Sequence, residues 1–142
     1  MTLADVRHGL RAYLLGDSAI SIVVGATRIY PIKLPQGQIL PSIVYSRISG
    51  LGDHHMEGPS GLARPRIQID CWAQSADAAD NLARLVKDRI DGFRGAMPWG
   101  ENSPEEAIQV QGIFFESERE DYDDAVKLYR SSKDYFVWYE ER

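Results

Sequence analysis

The sequence predicts an α+β fold: a mostly antiparallel β-sheet of about four to five strands, a long helix packed on one face, and an N-terminal helix. Three observations carry this. The candidate strands come in groups rather than alternating one by one with helices, which separates α+β from α/β. The stretch "RPRIQIDCWA" (64–73) alternates between two faces, as a strand does when one face lies on a core. From Ser75 to about Phe93, residues Ala79, Leu82, Val86, Ile90 and Phe93 fall on one stripe at helical spacing. A length of 142 residues suits a single domain, 1–142, that buries about two-thirds of its unfolded surface.

In chain order, Leu3, Val6, Leu10 and Leu14 recur at helical spacing behind Thr2 as cap, so residues 3–15 read as an amphipathic helix ended by Gly16. Asp17 caps a second, short helix that stops at Gly25. "TRIYPIKLP" (27–35) is a short strand interrupted by Pro31, which places it near a sheet edge. "LPQGQILP" is a connector, and "SIVYSRIS" (42–49) has the β-branched and aromatic content of a strand. Residues 50–62 read as a glycine- and proline-containing loop, expected to be mobile in the free subunit and ordered on assembly. In the strand that follows, Ile67, Ile69 and Cys71 point to the core, while Arg64, Arg66, Gln68, Asp70 and Trp72 point away from it. After the long helix, "GAMPWGENSPEE" (95–106) is a loop. "AIQVQGIFFESE" and "LYRSSKDYFVWYE" are the final strands, joined by an acidic turn.

Composition narrows the function. A net charge of −5 and a pI of 5.2 disfavour a general nucleic-acid binder, which needs a basic surface to displace phosphate counterions. Cys71 stands alone, so there is no intrachain disulfide framework, and a reducing compartment fits. Asp5, Arg7, His8 and Arg11 interrupt the N-terminal apolar pattern, unlike a signal peptide. No run approaches the ~20 apolar residues of a membrane span, so no membrane association is expected.

The densest group of chemically versatile residues is "GDHHMEGPSGLARPRIQIDCW" (52–72). Recurrent zinc sites place ligands at i and i+3 or i+4, or as C-x-x-C pairs. His54 and His55 are adjacent and point to opposite faces of an extended segment. Asp53 and Glu57 approach one another only in a turn. A metal-dependent hydrolase, the enzyme alternative, needs His54 or His55, Asp70 and a further carboxylate to converge. Cys71 lies on the apolar phase, where a cysteine is a small hydrophobe rather than an exposed thiolate. No G-x-S-x-G elbow, phosphate loop or G-x-G-x-x-G motif is present. The stretch "ESEREDYDD" (116–124) lacks the glycine and ligand spacing of a calcium loop. The expectation is therefore a protein that is not an enzyme, with no catalytic residue, metal or cofactor.

The aromatic residues of "DYFVWY", with Tyr122 and Tyr129, are many for a small domain, and aromatic or apolar residues fall on both phases of the last strand, which suggests that a second subunit covers one face. The candidate intersubunit contacts are Arg64 and Arg66, which meet acids of 116–124 on a neighbour, and Asp53, His54, His55 and Glu57 in the preceding loop.

These segments together resemble a known family. "RIYP" (28–31), "LPSIVY" (40–45), "GPSGLARPRIQIDCWA" (58–73) and "LYRSSKDYFVWY" (128–139) are, in this order, similar to the tail-completion or tail-terminator (head–tail joining, neck) family of long-tailed bacteriophages and prophages. The similarity runs over almost the whole chain and contains no catalytic motif. The resemblance implies a structural virion protein, assembled in the host bacterial cytoplasm, that forms a ring, typically a hexamer, at the head-proximal end of the tail tube. Such a ring ends tail polymerisation and joins tail to head, so its implied partners are its own copies, the tail tube protein and the head–tail connector or stopper protein. DNA passes through the lumen without specific binding. The alternative position is that of a head-completion or stopper subunit of the neck. The physical reading agrees: a ring subunit needs two complementary lateral surfaces related by a closing rotation, and no active site.

Overall fold

The computed structural model describes residues 6–25, 27–37, 39–49, 52–55, 58–97 and 108–140. Two short helices, α1 (Val6–Leu15) and α2 (Ser18–Val24), precede strand β1 (Ile29–Pro31). Strands β2 (Ser42–Ser49), β3 (Gly52–His55), β4 (Gly58–Ala63) and β5 (Arg66–Ala73) follow. The long helix α3 (Ala76–Ile90) then leads to β6 (Gly95–Met97), β7 (Ile108–Asp123) and β8 (Leu128–Glu140). The fold is α+β, as expected.

All eight strands belong to one sheet. Strand β5 pairs antiparallel with β2 on one side and β8 on the other, and β7 pairs antiparallel with β8 from Val110↔Tyr139 to Asp123↔Leu128. Strand β1 pairs parallel with β2, at an edge, where Pro31 costs no ladder bond. Strands β3 and β4 continue the β2–β5 pair as an antiparallel hairpin, and β4 meets β8 only at Leu62 and Ala63. The rest of that hairpin extends past the last β8 pair.

The helices cover one face of the sheet, here the inner face. Val6, Leu10 and Leu14 of α1, Ile20 and Val24 of α2, and Leu82, Val86 and Ile90 of α3 pack with Ile43, Tyr45, Ile67, Ile69, Cys71, Tyr135 and Val137 in one core. Each fully buried leucine or isoleucine here contributes about 2 kcal/mol of transfer free energy. The helix ends follow the expected chemistry: the Asp17 carboxylate accepts from the Ala19 amide and the Ser75 hydroxyl from the Ala78 amide. Gly25 ends α2 at φ 67°, a conformation that other residues adopt only at a cost. Arg89 ties α3 to α1, donating to the Tyr13 carbonyl at 3.1 Å with its guanidinium 3.8 Å from the Tyr13 ring centroid.

Four sequence expectations change. Among the described residues, eight strand segments replace the four or five expected. The 50–62 loop is instead, where described, the β3–β4 hairpin, because Gly52, Gly58, Pro59 and Gly61 sit in a short two-stranded ribbon rather than in a coil. Residues 95–97 form β6, with Met97 fully buried, and 98–107 lie outside the described residues, as does Thr2. The acidic stretch 116–123 is strand, and the turn is only 124–127. Lys133 and Arg130 on β8 lie opposite Glu118 and Asp121 in the ladder, and such cross-strand partners stabilise a charged strand.

Candidate functional site

Among the described residues, the outer face of the sheet carries no helix. Alternation along the paired strands puts Arg66, Gln68, Asp70 and Trp72 of β5, Phe136, Asp134, Ser132 and Arg130 of β8, and Ser117, Arg119 and Asp121 of β7 on this side. The polar phase assigned to β5 from the sequence is therefore the outer face, with Cys71 on the inner face and Asp70 opposite to it. Yet Asp70 and Trp72 are buried, because their neighbours on β8 and the connector cover them.

Asp134 is the centre of this face. Its side chain is 2% exposed and accepts from Arg66 Nη2 at 2.8 Å and Nε at 3.2 Å, and from Arg119 Nη1 at 3.2 Å. Arg66 Nη2 also donates to the Ser117 hydroxyl at 3.1 Å. Arg119 reaches on to the Gln68 side-chain oxygen. Gln68 donates to Asp70 Oδ1 at 2.7 Å, and the Ser132 hydroxyl donates to the same oxygen at 2.6 Å. One buried carboxylate shared by two guanidinium groups meets the condition for a tolerable buried charge, namely pairing and full hydrogen bonding.

Aromatic rings flank this polar centre at both ends. The Arg64 guanidinium lies 5.1 Å from the Trp138 ring centroid and that of Arg66 lies 5.7 Å from Phe136. Phe114, 53% exposed, meets Trp138 edge-on at 6.2 Å. Its ring lies over Gly112, where a Cβ would come within 2.6 Å of Phe114 Cζ, so the glycine is what lets the ring lie flat. At the other end Arg130 stacks 5.2 Å from Trp72 and pairs with Asp121. Beside Trp72, residues 34–37, Leu40, Val126 and Leu128 line a cleft of about 490 Å³. Arginine, tryptophan and phenylalanine are the residue types that dominate protein interfaces, and among the described residues no helix covers them here.

The residues singled out from the sequence fall as follows. Arg66 donates from Nε and Nη2 to Asp134 and from Nη2 to Ser117 of its own chain. Arg64 stacks on Trp138 at the root of the hairpin. Asp53, His54 and His55 lie on β3, and Glu57 lies outside the described residues. Among the described residues, no three of His, Cys, Asp and Glu gather as metal ligands. Burial, and then the Asp70 carboxylate, push the Cys71 thiol far above its ordinary value, the reverse of what a nucleophile needs. Sequence reasoning missed Asp134, Arg119 and Phe114. A lone aspartate inside the otherwise aromatic "KDYFVWY" was the available signal, since an acid in a strand of that kind has to find a cation.

Residues 8–140 match the family described as Tail completion protein gp17. A chain of the "Virion of native gene transfer agent (GTA) particle" has the same fold, with a TM-score of 0.72 over 92% of this chain and 91% of that chain at 14% sequence identity. No curated protein sequence matches. No helix among the described residues is long and apolar enough to cross a membrane. A family match running from α1 to the end of β8 leads to one assignment: the chain belongs to the Tail completion protein gp17 family and is a structural phage tail protein of the virion.

Proposed function

We propose that this protein forms a closed ring of six copies on the head-proximal end of the tail tube, ends tube growth there and joins the tail to the head. Membership of the tail completion family carries this reading. The described surface supports it, because the arginine and aromatic groups of the outer face are pre-organised for contact with protein. The partners in this reading are further copies of the chain, the tail tube protein and the head–tail connector or stopper. The protein is not an enzyme in this reading. A net charge of −5 per copy lets DNA pass through the lumen without specific binding.

Within the ring, the β3–β4 hairpin reaches the neighbouring copy through Asp53, His54, His55 and Glu57, with Arg64 at its root. Arg66 contributes chiefly by holding Asp134. Native mass spectrometry and negative-stain imaging of the full chain, alone and with tail tubes, test the ring. A closed, monodisperse assembly is expected, whereas a monomer under both conditions or an open fibre contradicts it. Arg64→Glu is expected to weaken assembly at least tenfold while the monomer keeps its fold by circular dichroism. Unchanged assembly removes Arg64 from the contact.

A further inference from the structure

The edge of β7 is covered along part of its length and open along the rest. Strand β6 pairs with Ile108–Val110. Gly92 and Phe93 then exchange backbone hydrogen bonds with Ile113, and the Asp91 carboxylate accepts from the Phe115 amide at 3.0 Å. Past the bulge at Phe115/Ser117, the backbone of β7 bonds only to β8 among the described residues. The Val137 amide donates to the Pro65 carbonyl, so alternation aims the backbones of Tyr135, Lys133 and Ser131 at β5 and those of Asp134, Ser132 and Arg130 at β7. Ser117, Arg119 and Asp121 face these last three. Glu118, Glu120 and Tyr122 therefore hold their amides and carbonyls toward the open edge.

The side chains of the same three residues stand on the inner face, since their β8 partners Lys133, Ser131 and Tyr129 share the phase of Tyr135. Glu118 is committed to Lys133. Glu120 is exposed and has no cation beside it among the described residues. Next to it the Tyr122 and Tyr129 ring centroids lie 4.8 Å apart, and both side chains reach the surface, 45% and 37% exposed. With Ala76 and Ala79 at the start of α3, these groups line a cavity of about 230 Å³. Arg130 also borders the cavity but is paired with Asp121. The helix end is answered within the chain, because Ser75 caps it and Asp77 stands in its first turn. Two aromatic rings beside an unpaired carboxylate are surroundings that suit an ammonium or guanidinium group.

We propose that the open end of the β7 edge, Glu118–Tyr122, is a strand-addition site for an extended, basic segment of a partner protein, with one Lys or Arg side chain set against Glu120 and the Tyr122–Tyr129 pair. Backbone hydrogen bonds supply the affinity, and the cation supplies the choice of partner. Acidic side chains on an exposed edge deter indiscriminate pairing, and a basic strand brings the charge that offsets them. The sheet's other edge strand does not offer such a segment from a second copy: in β1, Pro31 has no amide, its carbonyl accepts from the Lys33 amide, and the Ile29 carbonyl accepts from Arg11 Nε at 3.1 Å. The site is complete in a single copy, so it does not depend on the ring.

The test uses the full chain and a synthetic peptide of alternating lysine and valine, long enough to span Glu118–Tyr122. Two controls keep its length: one carries glutamate in place of lysine, and one is N-methylated at every residue, which keeps the charge and removes every backbone donor. Binding is read by fluorescence anisotropy, and hydrogen exchange by NMR resolves the amides of Glu118, Glu120 and Tyr122. The lysine peptide is expected to bind and to slow exchange of these three amides at least tenfold, and the two controls to do neither. Glu120→Lys is expected to weaken binding at least tenfold with an unchanged circular dichroism spectrum. Glu120→Gln, which keeps the shape and removes only the charge, is expected to weaken it in the same direction and serves if the lysine variant does not fold. Equal binding of the lysine and N-methylated peptides, or slowing confined to other amides, overturns strand addition. Equal binding of the lysine and glutamate peptides, or no binding of either, overturns the basic partner. Slowing of the three amides in the protein alone as its concentration rises makes a second copy the occupant and overturns the proposal as well.

Discussion

At the scale of single residues, Asp134 determines whether the outer face holds its shape. It is enclosed by Arg66, 31% exposed, and Arg119, 47% exposed, so removing it strands two cations that are only partly hydrated. The cost of breaking a buried pair is reduced here because both arginines reach water. Asp134→Ala is expected to lower stability by about 2 kcal/mol in urea denaturation, with Arg66→Ala costing less. Equal stability of the Asp134 variant and the wild type would show that the network is not structural. Asp134 also marks what the sequence hides. Its strand phase was legible, but its partners sit on β7 and β5, far along the chain, and only register brings them together.

At the scale of elements, the β7–β8 hairpin shows why a charged segment passed for a turn. Glu118 pairs with Lys133, which is 5% exposed, and Asp121 pairs with Arg130. The hydrogen bond from Lys133 holds the Glu118 carboxyl below its ordinary value, and that from Arg130 does the same for Asp121. A depressed native value means that the unfolded chain binds the proton first as pH falls. The contribution of these pairs is therefore complete above the ordinary carboxylate range and is lost as pH drops through the native values. The amides of 117–123 and 128–133 are expected to lose hydrogen-exchange protection between about pH 5 and about pH 3, ahead of α3. Loss in step with α3 would show that these pairs do not hold the hairpin end. In contrast, α2, α3, β2 and β5 were all legible, because caps, stripes and alternation are local signals. The β3–β4 hairpin and β6 were not, being short and defined by the strands they pair with.

At the scale of the molecule, the α+β class and the helix-covered face were legible in the grouping of strands, and the family in the order of four strand and turn patterns. Which surface remains uncovered was legible only in part. Aromatic residues on both phases of β8 indicated a second covering layer, but Phe114 over Gly112 and the cleft beside Trp72 depend on the curvature of the whole sheet. The intramolecular role of Arg66 was likewise out of reach, since a charge on a polar phase looks the same whether its partner is in the same chain or the next.

Electron microscopy of particles produced without this protein tests the proposed role at the end of the tail most directly. Tails of uncontrolled length, detached from heads, are the predicted result. Tails of normal length beside heads that leak DNA would contradict it and place the protein at the stopper instead.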